Sequence, residues 1–302
     1  MDKSVLVIVV TFNGLPWLDK CFNSLLNSSI DLQILVIDNC SNDETCQYIK
    51  QKYANIELIE TCSNLGFGKA NNIGLKKALE KKVDYVFLLN QDAWVDEHCI
   101  EKLIQYRESN LNFSLLSPFY LNYDGEGIEF YFEKYVLQYY TKNYNNPTVK
   151  AYETSFVHAA AWLLPHDTIK KVGGFDPLFK HTGEDNDYIQ RLQFKKLKAG
   201  ILTDAYVYHK GTNEGLVNPT KNFIQHLNAD LLRLKNPKST LIGALWLFYR
   251  KNLPSFMCYV FCREIAIKIK FEIFLFVFKR TIQIIRSRQQ QDKESAYLYN
   301  LY

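Results

Sequence analysis

Short apolar runs alternate with segments of helical spacing along the first third of the chain. Four runs rich in apolar and β-branched residues predict strands at residues 5–10, 33–37, 56–60 and 85–89. Apolar residues three or four positions apart predict helices over residues 15–27, 45–52 and 69–81. Strands that alternate with helices are joined by right-handed crossovers, so this region predicts a parallel sheet covered by helices.

The pattern is less regular in the middle of the chain. Residues 113–150, which contain many Tyr and Asn, predict strands and a flexible loop. Residues 156–165 and 201–209 predict two further strands, and residues 185–196 predict a helix between them.

Helical spacing of apolar residues continues from about residue 218. Within residues 256–288, Lys and Arg recur among Phe and Ile, a pattern typical of a basic amphipathic helix at a membrane surface. A helix pair that packs on the rest of the chain, or on a second subunit of a homodimer, is the alternative. We expect an α/β domain over residues 1–215 and a helical extension over residues 216–302.

The strand predicted at residues 85–89 ends abruptly in Asn90-Gln91-Asp92. Open α/β sheets bind ligands beyond the carboxyl ends of their strands. Asn and Asp oxygens also suit a hard divalent cation, which in turn can hold a diphosphate. A polar turn that caps a core strand would produce the same pattern, so this motif alone leaves both interpretations open.

Composition excludes several classes of protein. The chain has 302 residues, of which 47% are hydrophobic and 23% charged, so it can fold around a substantial core. Its net charge of +4 is too small to indicate a nucleic-acid partner. Aromatic residues make up 15%, which favours exposed aromatic surfaces for sugars, partners or membrane interfaces.

The seven cysteines include no Cys-x-x-Cys pair. Neither a disulfide framework nor a structural zinc site is therefore expected, and reduced thiols in the cytoplasm are the simplest interpretation. The apolar run at residues 5–10 is too short for a signal peptide, and no stretch of 18 uncharged apolar residues predicts a transmembrane helix.

Six motifs, taken in order, together resemble one family. They are Val9-Val10-Thr11-Phe12-Asn13, Val36-Ile37-Asp38-Asn39, Asn64-Leu65-Gly66-Phe67-Gly68, Leu88-Leu89-Asn90-Gln91-Asp92, Gly173-Gly174-Phe175-Asp176 and Gly183-Glu184-Asp185-Asn186-Asp187. Over roughly residues 5–215 the chain is similar to the family-2 inverting glycosyltransferases, in the branch that includes bacterial rhamnosyltransferases of cell-surface polysaccharide assembly. The resemblance implies a GT-A fold, a Rossmann-like mixed sheet flanked by helices. It also implies a nucleotide-sugar half at about residues 1–95 and an acceptor half at about residues 96–215.

The resemblance implies that Asp38 reads the nucleotide base; a turn aspartate before a capped helix is the alternative. Thr11 and Asn13 lie at the end of the first strand, where they either line the same nucleotide or stabilise a turn. Asn64 and Gly66 belong to a loop that resembles the family loop beside the nucleobase, where glycine permits close approach of the backbone.

Asn90-Gln91-Asp92 occupies the Asp-x-Asp position of the family, with Asn in place of the first Asp. The resemblance therefore implies that Asp92 is the charged ligand of a divalent cation, Mg²⁺ or Mn²⁺, and that Asn90 bonds ribose or phosphate. His209 follows a predicted strand and matches a late histidine that binds the metal or the diphosphate in many GT-A enzymes. A packed or surface histidine is the alternative.

Three carboxylates open the helix predicted at residues 185–196. Acidic residues are stabilised there by the helix dipole, which is a sufficient structural explanation by itself. The resemblance implies that Asp185 is the general base that deprotonates the acceptor hydroxyl. Asp187 and Arg191 lie one turn apart, where they orient groups or form a salt bridge.

We therefore expect an enzyme that transfers a sugar from a UDP- or dTDP-linked donor to a hydroxyl of a glycan or lipid-linked glycan. The resemblance places this reaction in cell-surface polysaccharide synthesis, in the cytoplasm or on the inner face of the cytoplasmic membrane. The alternatives are a nucleotidyltransferase and a non-catalytic glycan- or membrane-binding protein. The first usually carries a glycine-rich basic loop after strand one, which this chain lacks; the second is disfavoured because Asp92 and Asp185 are both present.

Overall fold

The computed structural model describes residues 3–134, 136, 150–179, 182–211, 219–262 and 265–299. Its strands are β1 Val5–Thr11, β2 Gln33–Asp38, β3 Glu57–Glu60, β4 Tyr85–Asn90, β5 Ala93–Val95, β6 Phe113–Leu121, β7 Ala151–Thr154, β8 Ala161–Pro165 and β9 Lys198–His209. Its helices are α1 Leu18–Leu26, α2 Thr45–Lys52, α3 Phe67–Lys81, α4 Cys99–Ser109, α5 His166–Val172, α6 Glu184–Phe194, α7 Pro219–Lys235, α8 Leu241–Cys262 and α9 Ile265–Gln290.

The strands form one mixed sheet in the order β3-β2-β1-β4-β8-β6-β9-β5, with β7 also paired to β9. The four strands predicted from the first third of the chain are parallel to one another. Strand β8 pairs antiparallel with β4 and β6, whereas β6 and β9 are parallel. Strands β1 and β4 are covered on both faces, which explains why their sequences are continuously apolar.

Two helices were not predicted from the sequence. Helix α4 buries Cys99, Ile100, Leu103 and Ile104, a spacing that is itself typical of a helix. Helix α5 has seven residues, too short for periodicity to distinguish it from a loop. Strand β8 begins at Ala161, so the strand predicted at residues 156–165 is too long by its first five residues. Within residues 113–150, β6 is a predicted strand, residues 130–134 are helical, and residues 137–149 lie outside the described part.

The helices α7, α8 and α9 share a second hydrophobic core. Its buried members from the sheet region are Leu178 and Phe179; those from the three helices are Leu227, Leu231, Leu234, Phe248, Ile273, Val277 and Ile284. Within the described residues, no helix combines the length and the apolar character needed to span a bilayer.

Within the helical extension expected over residues 216–302, residues 291–299 form turns rather than helix. This C-terminal tail returns to the sheet region: the Gly174 N–H donates to the Ala296 carbonyl at 2.8 Å. Gly173 has φ of +87°, and a Cβ added there would lie 2.2 Å from the Ala296 oxygen. The glycine pair therefore provides the space in which the tail packs, and Leu298 joins the main core.

Candidate active site

Three strands end side by side at one edge of the sheet. Thr11 of β1 pairs with Asp38 of β2, and Val10 of β1 pairs with Asn90 of β4. A cavity of about 270 Å³ opens at this edge. The predicted site residues that line it are Asn64, Gly66, Asn90 and Asp92.

Asp38 does not line this cavity. Its carboxylate is buried and accepts hydrogen bonds from Thr11 Oγ1 at 2.9 Å, Ser41 Oγ at 2.6 Å and the Ser41 N–H at 2.8 Å. Asn13 joins the same turn, since its N–H donates to Ser41 Oγ and its Oδ1 accepts from the Asn42 N–H. Thr11, Asn13 and Asp38 therefore brace the loops that follow β1 and β2, and a contact with a nucleotide stays a prediction for all three.

Asn39 lines the cavity and was not singled out from the sequence. Its Nδ2 donates to Asn64 Oδ1 at 3.0 Å, and its Oδ1 accepts from the Leu65 N–H at 2.7 Å. Asn64 Oδ1 also accepts from the N–H of Gly66, whose φ of +81° lies in the region that favours glycine. Asn39 thus holds the loop in place, and its position at the end of β2 was the available signal.

Gln91, between the two predicted ligands, has a structural role. Its side-chain amide accepts from the Phe12 N–H at 2.9 Å and donates to the Phe12 carbonyl at 3.1 Å. A Cβ on Gly14 would lie 2.3 Å from Gln91 Oε1. The middle residue of the motif therefore ties the end of β4 to the loop after β1.

Asp92 and His209 are brought together by strand pairing, because Ala93 of β5 lies opposite His209 of β9. His209 Nε2 is 3.6 Å from Asp92 Oδ1. Burial raises the pKa of the Asp92 carboxyl group, but His209, a backbone hydrogen bond and the charge of Lys210 together lower it by more, so the pKa lies below its ordinary value of 3.8. A carboxylate oxygen and an imidazole nitrogen at this separation fit a divalent cation such as Mn²⁺.

Two further residues lie near His209. The ligand atoms of Glu129, His158 and His209 all lie within 4.8 Å of one another. Burial, and secondarily the neighbouring His209, lower the pKa of His158 from 6.5 to about 3, so its imidazole is neutral. Sequence reasoning left His158 unassigned and did not consider Glu129, which lies in the irregular region after β6.

The start of α6 lies near the start of α3, which borders the cavity. A Cβ added to Gly68 would lie 3.7 Å from the Glu184 Cβ. Asp185, the predicted base, is half-buried and accepts from the N–H and Nδ2 of Asn186 at 2.7 and 3.1 Å. Burial raises the pKa of Asp185, although the bonds from Asn186 oppose the shift. A raised pKa strengthens this carboxylate as a proton acceptor.

Glu184 is more deeply buried than Asp185. Burial, reinforced by the charge of Asp185, raises the pKa of Glu184 from 4.5 to about 7. Its Oε2 has no hydrogen-bond partner among the described residues. Glu184 is therefore a second perturbed carboxyl group beside the predicted base.

Asp187 and Arg191 form the salt bridge that their spacing predicts. Both side chains are buried, and Arg191 Nε lies 2.8 Å from Asp187 Oδ2. The same guanidinium donates to the carbonyls of Val172 and Gly174, both at 2.7 Å. This pair anchors α6 to the glycine loop and so fixes the position of Asp185.

A second cavity, of about 670 Å³, adjoins the first and shares Trp17 with it. Its walls include Tyr123, Asp124 and Phe130. Lys210 Nζ lies 4.0 Å from the centre of the Trp17 ring, which places a cation between the two cavities.

Comparison with known proteins identifies the relatives of the chain. The sequence profile described as Glycosyl transferase family 2 matches residues 6–173. The chain is 28% identical over 228 residues to glycosyltransferase GlyA of Streptococcus pneumoniae, covering 70% of this chain and 32% of GlyA. It is 31% identical over 129 residues to the dTDP-rhamnosyl transferase RfbF of Shigella flexneri, covering 41% of each. The chain thus spans less than half the length of these relatives.

Solved structures show the same fold. The crystal structure of TarS 1-349 from Staphylococcus aureus superposes with a TM-score of 0.58 at 15% identity, covering 96% of this chain and 83% of that one. GalNAc-T7, crystallised with UDP, GalNAc and Mn²⁺, gives a TM-score of 0.56 at 15% identity, covering 78% of this chain and 50% of that one. The expected GT-A fold, a mixed sheet flanked by helices, is confirmed.

Proposed function

The chain belongs to glycosyl transferase family 2, and from that membership we propose that it transfers a sugar from a UDP- or dTDP-linked donor to a hydroxyl of a glycan or lipid-linked glycan, with inversion. The observation that carries this proposal is the closeness of the start of α6 to the start of α3. It brings the helix that begins with Glu184 and Asp185 to the loop that borders the Asn90–Asp92 cavity.

The donor nucleotide occupies the cavity at the ends of β1, β2 and β4. Asn64 and Gly66 border the nucleobase, and the brace formed by Thr11, Asn13 and Asp38 holds that side of the cavity in shape. Asn90 bonds ribose or phosphate. The relatives RfbF and TarS support this assignment, since one is named for dTDP-rhamnosyl transfer and the other was crystallised with UDP.

Asp92 and His209 would hold a divalent cation, Mg²⁺ or Mn²⁺. When bound, the cation supplies positive charge that stabilises the departing diphosphate. Lys210 adds a fixed positive charge beside it, and its N–H already bonds the Asp92 carbonyl at 3.1 Å.

Asp185 accepts the proton of the acceptor hydroxyl. As that oxygen bonds to the anomeric carbon, the bond from this carbon to the diphosphate breaks on the opposite face, which inverts the configuration. The raised pKa of Asp185 favours this transfer, because the carboxylate is a stronger base than an exposed aspartate.

The acceptor occupies the second cavity, beside Trp17. Aromatic faces such as those of Tyr123 and Phe130 pack against sugar rings, and the Asp124 carboxylate can accept hydrogen bonds from hydroxyls. A glycan therefore matches the chemistry of this cavity, within cell-surface polysaccharide synthesis as in the relatives.

Helices α8 and α9 present an apolar surface that fits a membrane. Five large apolar side chains among the described residues of these helices are exposed: Ile242 by 82%, Trp246 by 58%, Leu247 by 54%, Phe278 by 62% and Ile282 by 65%. Ile242 and Trp246 lie one helical turn apart, as do Phe278 and Ile282. Trp246, Phe278 and Ile282 lie within one turn of the Tyr249–Thr281 hydrogen bond that joins the helices. Arg250 is exposed and its guanidinium carbon lies 4.6 Å from the centre of the Trp246 ring, so a cation accompanies this surface and favours anionic lipids. We infer peripheral binding to the inner face of the cytoplasmic membrane, where a lipid-linked acceptor would lie.

A donor screen tests the activity. UDP- and dTDP-sugars are added with Mn²⁺, and thermal stability and release of nucleoside diphosphate are measured. We expect one donor class to stabilise the protein and to be turned over, and Asp92→Asn to lose turnover while remaining folded. Formation of pyrophosphate from a nucleoside triphosphate and a sugar phosphate would instead identify a nucleotidyltransferase.

Flotation with liposomes tests the membrane surface. We expect binding to anionic but not to neutral liposomes, and loss of binding when Trp246 and Phe278 are both changed to Ser. Leu111→Ser is the control, because Leu111 is 72% exposed but lies outside α8 and α9. Absence of flotation together with a dimer in solution would assign this surface to a second subunit.

A further inference from the structure

We propose that Glu129 is a positioning residue for His209: it accepts a hydrogen bond from Nδ1–H and thereby leaves the Nε2 lone pair facing Asp92. This inference rests on the proposed function, in which Asp92 and His209 hold a cation. It assigns a role to a residue outside the six motifs that carry the family resemblance.

The first observation is the environment of the His209 ring. The residue is 8% exposed, and its Nε2 faces Asp92 Oδ1 at 3.6 Å. Its Nδ1 is buried and has no hydrogen-bond partner among the described residues. A neutral imidazole carries its proton on one nitrogen only, and that nitrogen is selected by the bond that it makes. Asp92 is an acceptor beside Nε2, so an acceptor near Nδ1 leaves Nε2 free to bind a cation only by outcompeting Asp92 for the proton.

Glu129 is a suitable acceptor. It is buried, and one of its oxygens, Oε2, accepts the Phe132 N–H at 2.7 Å, which fixes the orientation of the carboxyl group. A ligand atom of Glu129 lies within 4.8 Å of one on His209. Carboxylates are common partners of the second nitrogen of metal-binding histidines.

Gly211 keeps the space between the two side chains open. A Cβ at this position would lie 2.6 Å from Glu129 Oε1 and 3.8 Å from His209 Nδ1. Glu129 Oε1 and His209 Nδ1 thus lie on either side of the Cβ position of Gly211. Oε1 is the Glu129 oxygen that does not accept the Phe132 N–H. Gly211 has φ of +55°, a conformation that also favours glycine.

His158 is the competing partner, since its ring centre is 5.6 Å from that of His209. A neutral imidazole is a weaker acceptor than a carboxylate. The bond to Glu129 is therefore the stronger of the two, and a His158 variant tests the alternative directly.

Glu129→Gln is the most informative variant. Its amide oxygen can still accept the Phe132 N–H, which directs the NH₂ group to the place of Oε1. An NH₂ group there favours the opposite tautomer of His209, with the proton on Nε2, where it blocks a cation. Glu126→Gln is the matched control, because Glu126 is an exposed glutamate in the same segment.

Two measurements test the inference. Nitrogen NMR of the metal-free protein reports the tautomer of His209: we expect Nδ1–H in the parent and Nε2–H in Glu129→Gln. Titration with Mn²⁺ in the presence of UDP, followed by electron paramagnetic resonance, reports cation affinity. We expect Glu129→Gln to bind about 10–100-fold more weakly and Glu126→Gln to match the parent.

The outcomes separate the two proposals. Nε2–H in the parent overturns the role of Glu129, whatever the protein binds. Unchanged Mn²⁺ affinity in Glu129→Gln, with a loss in His158→Gln, assigns the positioning role to His158 instead. Nδ1–H in the parent without any Mn²⁺ binding supports the contact with Glu129 and contradicts the cation site of the proposed function.

Discussion

Lys235 of α7 and Asp176 of the Gly-Gly-Phe-Asp loop form an ion pair in which both side chains are fully buried. The Lys235 ammonium also donates to Ser287 Oγ at 2.5 Å and to Tyr297 Oη at 2.7 Å. Burial raises the pKa of Asp176, but Lys235 and the hydrogen bonds from Ser287 and the Leu178 N–H together lower it by more, so the carboxylate stays charged. One cation thus joins the helical extension, the C-terminal tail and the loop before α6.

Removal of this cation should destabilise the protein strongly. Lys235→Met leaves the Asp176 carboxylate buried without its cationic partner, and breaking one side of a buried pair costs about 3–5 kcal/mol. The free energy of unfolding would be measured with a chemical denaturant. Lys238→Met, at an exposed position only three residues away, is the control. Equal stability of the two variants would contradict the structural role of the pair.

Packing of the C-terminal tail is tested at Gly174. A Cβ there would lie 2.3 Å from Asn72 Oδ1 and 2.6 Å from Leu298 Cδ2. We expect Gly174→Ala to lower the free energy of unfolding by about 1–3 kcal/mol, since overpacking forces neighbours to move. Gly127→Ala is the control, because its Cβ would meet only the Asn122 Nδ2 at 3.5 Å. Similar melting temperatures for both variants would show that the tail does not pack tightly on this loop.

Glu184 should make stability depend on pH. The pKa of Glu184 is about 7 in the folded protein, above its ordinary value of 4.5, so folding favours the protonated side chain. The stability that this preference contributes is complete below pH 4.5 and is lost as the pH rises through 7. Glu184→Gln cannot ionise, so between pH 5 and pH 8 the parent should lose on the order of 3 kcal/mol relative to this variant. Denaturant unfolding of both proteins at the two pH values measures this difference. A difference that stays constant with pH would mean that Glu184 ionises normally.

Asp185→Asn should remove transfer without loss of fold. General-base assistance contributes roughly 10²–10⁴-fold to a rate, and a decrease in that range is expected while donor binding is retained. Asp167→Asn is the matched control, because Asp167 is an exposed carboxylate in the first turn of α5. We would measure the rate of transfer and the melting temperature of each variant. NMR would determine the anomeric configuration of the product. Full activity in Asp185→Asn, or a product of retained configuration, would exclude a single displacement with this base.

Asp38→Ala tests the predicted contact with the base. We expect weaker binding of UDP or dTDP by calorimetry, because a hydrogen bond to a charged group contributes about 1.5–3 kcal/mol. The variant also removes the bonds to Thr11 and Ser41, so Ser41→Ala serves as the control for loss of the brace alone. Equal nucleotide affinity in both variants would leave Asp38 with a structural role only.

The strands that were predicted correctly are those whose patterns lie within a few neighbouring residues of the sequence. Strands β1, β2 and β4 are continuously apolar because they are buried on both faces, and each ends at a polar residue of the site edge. Helix α4 was missed although its buried residues have helical spacing. The extent of β8 was wrong because an apolar run does not mark the point where pairing with β4 begins.

Local patterns in the chain were enough to predict the parallel half of the sheet, the polar ends of its strands and the acidic start of α6, because these depend on neighbouring residues. Three contacts become visible only in the folded protein: His209 faces Asp92, Lys235 pairs with Asp176, and residues 291–299 return to the glycine loop. These contacts join segments far apart in sequence. They form because burying a charge or a hydrogen-bonding group without a partner costs free energy, and the partner comes from whichever element packs beside it. The spacing of neighbouring residues in the sequence does not indicate which element that is.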